Sequence, residues 1–178
     1  MSTNKVNQDQ SINNRFHQFM AEKDPFTRFL IIYGFCLFLS LLFLLIATKS
    51  SPLYPFNDWV DANSAFTMGK GMMNGKVFYR DLFVHKGPLW YFLFGLAYLI
   101  SSTSFLGVFI LEIVSFSVFL YFSFKLVSLF LDFEYALISL PLITVSILNH
   151  KSFTHGGSPE ELSLPLLTIS LFFLINYF

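Results

Sequence analysis

Residues 29–47, FLIIYGFCLFLSLLFLLIA, carry no charged side chain. About 20 apolar residues cross the hydrocarbon core of a bilayer, and inside that core only a helix or a closed barrel satisfies the backbone. This run therefore limits the chain to membrane folds before any other residue is read. It is longer than the apolar core of an ordinary signal peptide and follows a long polar leader, so it reads as a retained span. Asp24-Pro25 supplies its start, with Asp as the cap and Pro at the first helical position.

Four more apolar runs follow, at 88–102, 105–124, 135–148 and 162–178. The chain is 54% hydrophobic and 12% charged, whereas soluble domains run near a quarter charged. The expected fold is all-α: a polytopic transmembrane protein of four to five apolar helices, with an amphipathic helix in the first external loop. Residues 1–24 are expected to be a disordered, polar, cytoplasmic leader. Residues 25–178 are expected to form one transmembrane module with external loops at 48–87 and 149–161. The last run ends in FFLINYF with no polar tail, and reads as the front part of a larger protein. Net charge is zero, which gives no electrostatic basis for nucleic-acid binding. The single cysteine, Cys36, lies in an apolar run and reads as packing.

Two loops on one side need an even number of crossings between them, and three apolar runs lie there. The run 88–102 is short for a span and ends in Ser101-Ser102-Thr103-Ser104. It is expected to be re-entrant or tilted, with 105–124 crossing inward and 126–148 returning, kinked at Pro141. Glu112 falls in the middle of a crossing run, where an unpaired ionisable group costs ~2.5 kcal/mol or more, so it is expected to face protein. Arg15, Lys23 and Arg28 precede the first span and only Lys49 follows it closely, which puts the N-terminus in the cytoplasm. Lys70, Lys76, Arg80 and Lys86 then crowd the external loop, and an anionic ligand held there would explain them.

In that loop, Pro52 and Pro55 end the first helix, and Asn57 or Asp58 caps a new one running to about Asn74, with Gly75 as its terminator. Its apolar side, Trp59, Phe66 and Met73, suits a helix lying on the membrane face. Pro88 starts the next helix, with Trp90 and Tyr91 at the interface. The stretch GKGMMNGK is not a phosphate-binding loop: Val77 stands where Ser or Thr is required, and no buried strand precedes it. Asp58 and Asp61 have two readings, as helix-start acids or as site residues. The basic residues have two as well, ligand binding or contact with lipid headgroups.

The stretch 61–92, DANSAFTMGKGMMNGKVFYRDLFVHKGPLWYF, resembles the first external loop of membrane glycosyltransferases of the GT-C fold, such as protein O-mannosyltransferases and lipid A aminoarabinose transferases (glycosyltransferase family 39-like). The stretch HGGSPEELSLPLL, 155–167, resembles their second external loop. The resemblance implies transfer of a sugar from a polyprenyl-phosphate donor to an extracytoplasmic acceptor, such as a cell-envelope glycan, lipid or protein, at the plasma membrane. It places the loop carboxylate, the catalytic base, on Asp61, and the basic pre-proline residue on Lys86. Arg80 and His85 would help bind the donor phosphate. Asp58, Glu160 and Glu161 are candidate supporting acids. Ala62 stands where the family has Glu and Gly87 where it has Pro, so a second acid beside Asp61 is missing. Ser158-Pro159-Glu160-Glu161 also reads as a capping box. No cofactor is implied; a divalent metal fits the chemistry but no ligand spacing indicates one, and His150 and His155 lack spaced partners. The rival reading is a non-catalytic membrane protein, either a lipid or polymer transport component or an inactive relative.

Overall fold

The computed structural model describes residues 22–83 and 86–178. The leader expected to be disordered falls mostly outside them, as does His85. The chain divides into two compact units, Met1–Phe35 and Cys36–Phe178. Among the described residues there are six α-helices, one short 3-10 helix and no strand, which is the all-α architecture the sequence implies.

Helix α1 is Pro25–Ala47. Asp24 caps it: its Oδ2 accepts the Thr27 amide at 3.0 Å and its Oδ1 accepts the Thr27 hydroxyl at 2.6 Å. Helix α2 is Val60–Met73, α3 Pro88–Ile100, α4 Leu106–Val127, α5 Phe133–Leu148 and α6 Pro159–Tyr177. Three of these, α1, α4 and α6, are long and apolar enough to cross a membrane. Helix α3 has 13 residues, about 20 Å at 1.5 Å per residue, which falls short of a bilayer core. It begins beside α2, where Lys86 meets Asp61. Thr103–Leu106, just past its end, line a cavity together with Lys49–Ser51 and Asn63. So α3 runs alongside α2, from the Asp61–Lys86 pair past Gly69 and Gly95 to the contact of Phe66 with Tyr98. Pro141 lies inside α5, whose buried residues Ala136, Leu140, Thr144 and Leu148 recur every fourth position.

Helix α2 departs from expectation at both its start and its buried face. Its N-cap is Trp59, with no side-chain cap. Asn57 instead folds a turn, its Oδ1 accepting the Trp59 amide at 2.9 Å. Asp58 is drawn off by Lys49, with which it forms an ion pair; an opposite charge within reach outweighs a capping bond to a neutral amide. The other end follows the sequence. Gly75, at φ +85°, lets the Lys76 amide reach the Gly71 carbonyl and the Gly75 amide reach that of Met72, the paired bonds of a Schellman stop. The buried face is Ala62, Ala65 and Gly69, and it is covered by α3, not by lipid. A Cβ on Gly69 would lie 2.5 Å from the Gly95 amide nitrogen and 2.7 Å from the Tyr91 carbonyl oxygen, so the two helices touch backbone to backbone. Trp59, Phe66 and Met68 pack around the rim of that contact.

Because the obstruction at Gly69 is backbone, Gly69→Leu is expected to force the helices apart and cost about 1–3 kcal/mol, read from thermal unfolding in detergent. At Gly34 a Cβ would meet nothing within 4 Å among the described residues, and Gly34→Ala is expected to be neutral or to gain up to about 1 kcal/mol. Equal losses at the two positions would remove the close contact as the explanation.

Candidate functional site

The loops at 48–59 and 149–158 meet each other. The Lys49 amide donates to the Thr154 carbonyl at 3.0 Å, and Asn57 Nδ2 donates to the His155 carbonyl at 2.7 Å. The Trp59 ring stacks on His155, with centroids 5.1 Å apart and an interplanar angle of 17°. Trp90 Nε1 donates to the Gly157 carbonyl at 2.8 Å. Gly156 and Gly157 have φ values of +94° and +70°, so the turn that docks the second loop needs glycine at both places.

Against this layer stands an ammonium group. Lys86 Nζ donates to Asp61 Oδ2 at 2.7 Å and lies 4.4 Å from the centroid of the Trp90 ring and 5.7 Å from that of Trp59. The electron-rich ring faces add to the pair, at ~0.5–1 kcal/mol for an exposed cation and more for a desolvated one. Both charged groups remain partly open, 28% for the lysine side chain and 39% for the aspartate. Lys86 also sits at the edge of a cavity of about 440 Å³ between α3 and α6, whose other walls include Leu89, Trp90, Leu93, Leu162 and Leu166. The pocket thus joins one cationic group to an apolar wall.

Of the other candidate donor-binding and acidic residues, Arg80, Asp58, Glu160 and Glu161, none joins Lys86 and Asp61 among the described contacts. Arg80 turns to its neighbour, giving Asp81 two bonds at 2.9 and 2.8 Å from Nε and Nη2. This fork is ready-made in a tight turn, where Asp81 also accepts the Val77 amide and Tyr79 takes φ +62°. The guanidinium holds the Asp81 carboxyl below its usual range. Asp58 is held below its usual range by Lys49, so it is Lys49's partner and not a second acid for Asp61. His85 lies outside the described residues. Glu160 is exposed on the first turn of α6. Glu161 is buried, and Ser158 caps α6 by accepting its amide at 3.1 Å. Its carboxylate reaches back one residue further than a capping box requires, to the Gly157 amide at 3.1 Å.

Sequence reasoning left Glu112 without a partner. The Thr48 hydroxyl donates to its Oε2 at 3.1 Å, and Glu161 lies within electrostatic reach. The only sequence signal was an acid inside an apolar run; its partners stand about 50–65 residues away in the chain.

Residues 26–178 match the model of a family described as "Putative competence-induced protein Ccs4 N-terminal domain". No curated protein and no solved structure matches the chain.

Asn57 serves both loops, through the Trp59 amide and the His155 carbonyl, and is 5% exposed. Asn57→Ala is therefore expected to cost about 1–3 kcal/mol, the penalty of leaving buried partners unmade. Trypsin should then cut faster after Lys151, in the loop that Asn57 holds. An unchanged cleavage rate would show that the loops are held together elsewhere.

Proposed function

Because the chain belongs to the competence-induced Ccs4 N-terminal domain family, a family whose description gives an inducing condition and no reaction, its chemistry has to come from the site, and we propose that it is a membrane glycosyltransferase of GT-C type using a polyprenyl-phosphate sugar. The observation that carries this reading is Lys86 at the mouth of the apolar groove between α3 and α6. The polyprenyl chain lies along Leu89, Leu93, Leu162 and Leu166, and its phosphate meets the ammonium. In this reading the protein is a multi-pass protein of the plasma membrane, its N-terminus is cytoplasmic and the loop layer is extracytoplasmic.

The resting Asp61–Lys86 pair gives the donor a second role. A phosphate arriving at Lys86 competes with Asp61 for the same ammonium and releases the carboxylate beside the sugar. Asp61 then takes the proton from the acceptor hydroxyl while that oxygen bonds to the anomeric carbon. The bond from that carbon to the phosphate oxygen breaks, its electron pair leaves with the phosphate, and Lys86 neutralises the charge. One displacement inverts the anomeric configuration.

A closed ion pair also suits a second reading, in which the groove binds a lipid phosphate and transfers nothing. The two separate in one experiment on the full-length protein in nanodiscs, supplied with a polyprenyl-phosphate sugar and an acceptor. Asp61→Asn is expected to lower transfer by ~10²–10⁴-fold, the usual contribution of a positioned base, while donor binding persists. Lys86→Gln is expected to weaken donor binding itself. Full turnover by Asp61→Asn would remove Asp61 as the base. Donor binding without any transfer by the unaltered protein would favour the carrier.

A further inference from the structure

A second polar centre lies on the other side of Gly157. Glu112 of α4 and Glu161 of α6 are sealed from solvent, at 0% and 1% exposure. Each has one oxygen held by a donor: the Thr48 hydroxyl on Glu112 Oε2 and the Gly157 amide on Glu161 Oε2, both at 3.1 Å. Each has its other oxygen, Oε1, buried without a well-formed hydrogen bond, and so is the Ser50 hydroxyl, 3% exposed, although it and the Gly157 backbone lie close enough to act on the Glu112 carboxyl. Ser50 Oγ and Glu112 Oε1 both lie beside Gly156, where an added Cβ would overlap the first and stand 3.0 Å from the second. Among the described residues, no Lys, Arg or His forms an ion pair with either glutamate.

Two buried carboxyls cannot both stand as bare anions. Protons are one way out. Burial favours them, while hydrogen bonds given to a carboxyl favour its ionised form, and both carboxyls receive one. A hard divalent cation takes carboxylate, hydroxyl and carbonyl oxygens together and balances two negative charges. A cavity of about 480 Å³ has Ser50 in its wall together with Lys49, Asn57, Asn63 and Thr103 among others, and the sealed Ser50 hydroxyl lies just behind that wall. We propose that Glu112, Glu161 and Ser50 form a binding site for a divalent hard cation, behind the wall of this cavity. The cation ties α4 and α6 to both loops. Through Gly157, whose carbonyl holds Trp90, it steadies the aromatic wall on which Lys86 rests.

The test uses the full-length protein in detergent at fixed pH, stripped with EDTA and then titrated with Ca²⁺ or Mg²⁺ while thermal unfolding is followed. One of the two ions is expected to raise the unfolding midpoint and to saturate. Glu161→Gln is expected to weaken that response by ~10-fold or more, the usual loss when a metal site is disturbed. Should Glu161→Gln fail to fold, Ser50→Ala, a smaller change, is expected to show the same weakening. Lys86→Gln is expected to keep the response in full, which separates this site from the groove. No response to either ion, with unaltered protein that loses stability as pH rises, would assign the neutralisation to a shared proton and overturn the proposal. An ion response that survives both Glu161→Gln and Ser50→Ala would place the ion elsewhere and overturn it equally.

Discussion

The bond from the Trp90 indole to the Gly157 carbonyl is the contact on which both polar centres depend. On one side, Trp90 presents its ring face to Lys86, and Lys86 holds Asp61. On the other, the amide of the same glycine donates to Glu161. One peptide segment thus serves a half-buried ion pair and a buried pair of acids at once. No other residue fits there. Its φ is +70°, and a Cβ would lie 2.8 Å from Phe94 Cζ and 2.9 Å from Val108 Cγ1, both in the core between α3 and α4.

Six charges of the loop layer stand in pairs: Lys49 with Asp58, Arg80 with Asp81, Lys86 with Asp61. Such pairs are worth little as stabilisers where water reaches them. They do keep like charges from accumulating beside a membrane. They also set a condition on any ligand, because an anion that binds Lys86 must displace a partner already 2.7 Å away. Lys86 differs from Arg80 in what backs it. Arg80 stands 71% exposed, whereas Lys86 lies against two tryptophans and an apolar groove. That setting favours a ligand with a tail over free phosphate.

The features that local chemistry decides were readable from the sequence. Asp24-Pro25, Pro88 and Ser158-Pro159 start helices, and Gly75 ends one, because capping and φ preferences act within a few residues. The shortness of α3 followed from a count of apolar residues. What failed needed partners distant in the chain or two side chains competing for one. Asp58 is a good cap by type, yet Lys49 claims it. Glu160 and Glu161 are equivalent in sequence, and only the packing of α6 buries the second. The α2 face could have been found: Ala65 and Gly69 are four apart, the small-residue spacing that lets helices approach closely. Attention to the glycines as a phosphate loop, and to Trp59 and Phe66 as the apolar face, hid it.

The polar contacts of Thr48, Asn57 and Trp90 span 64, 98 and 67 residues of chain. Closing loops of that size costs entropy before any contact rewards it. During synthesis, α1 through α4 emerge before Gly157 and Glu161 exist. Until then the Trp90 indole lacks its acceptor, and Glu112 stands without Glu161 beside it. Completion of both centres therefore waits for residues 156–161 to emerge and dock. A chain whose Gly156-Gly157 turn fails to form would insert its early spans normally and still present quality-control proteases with an open, half-polar seam.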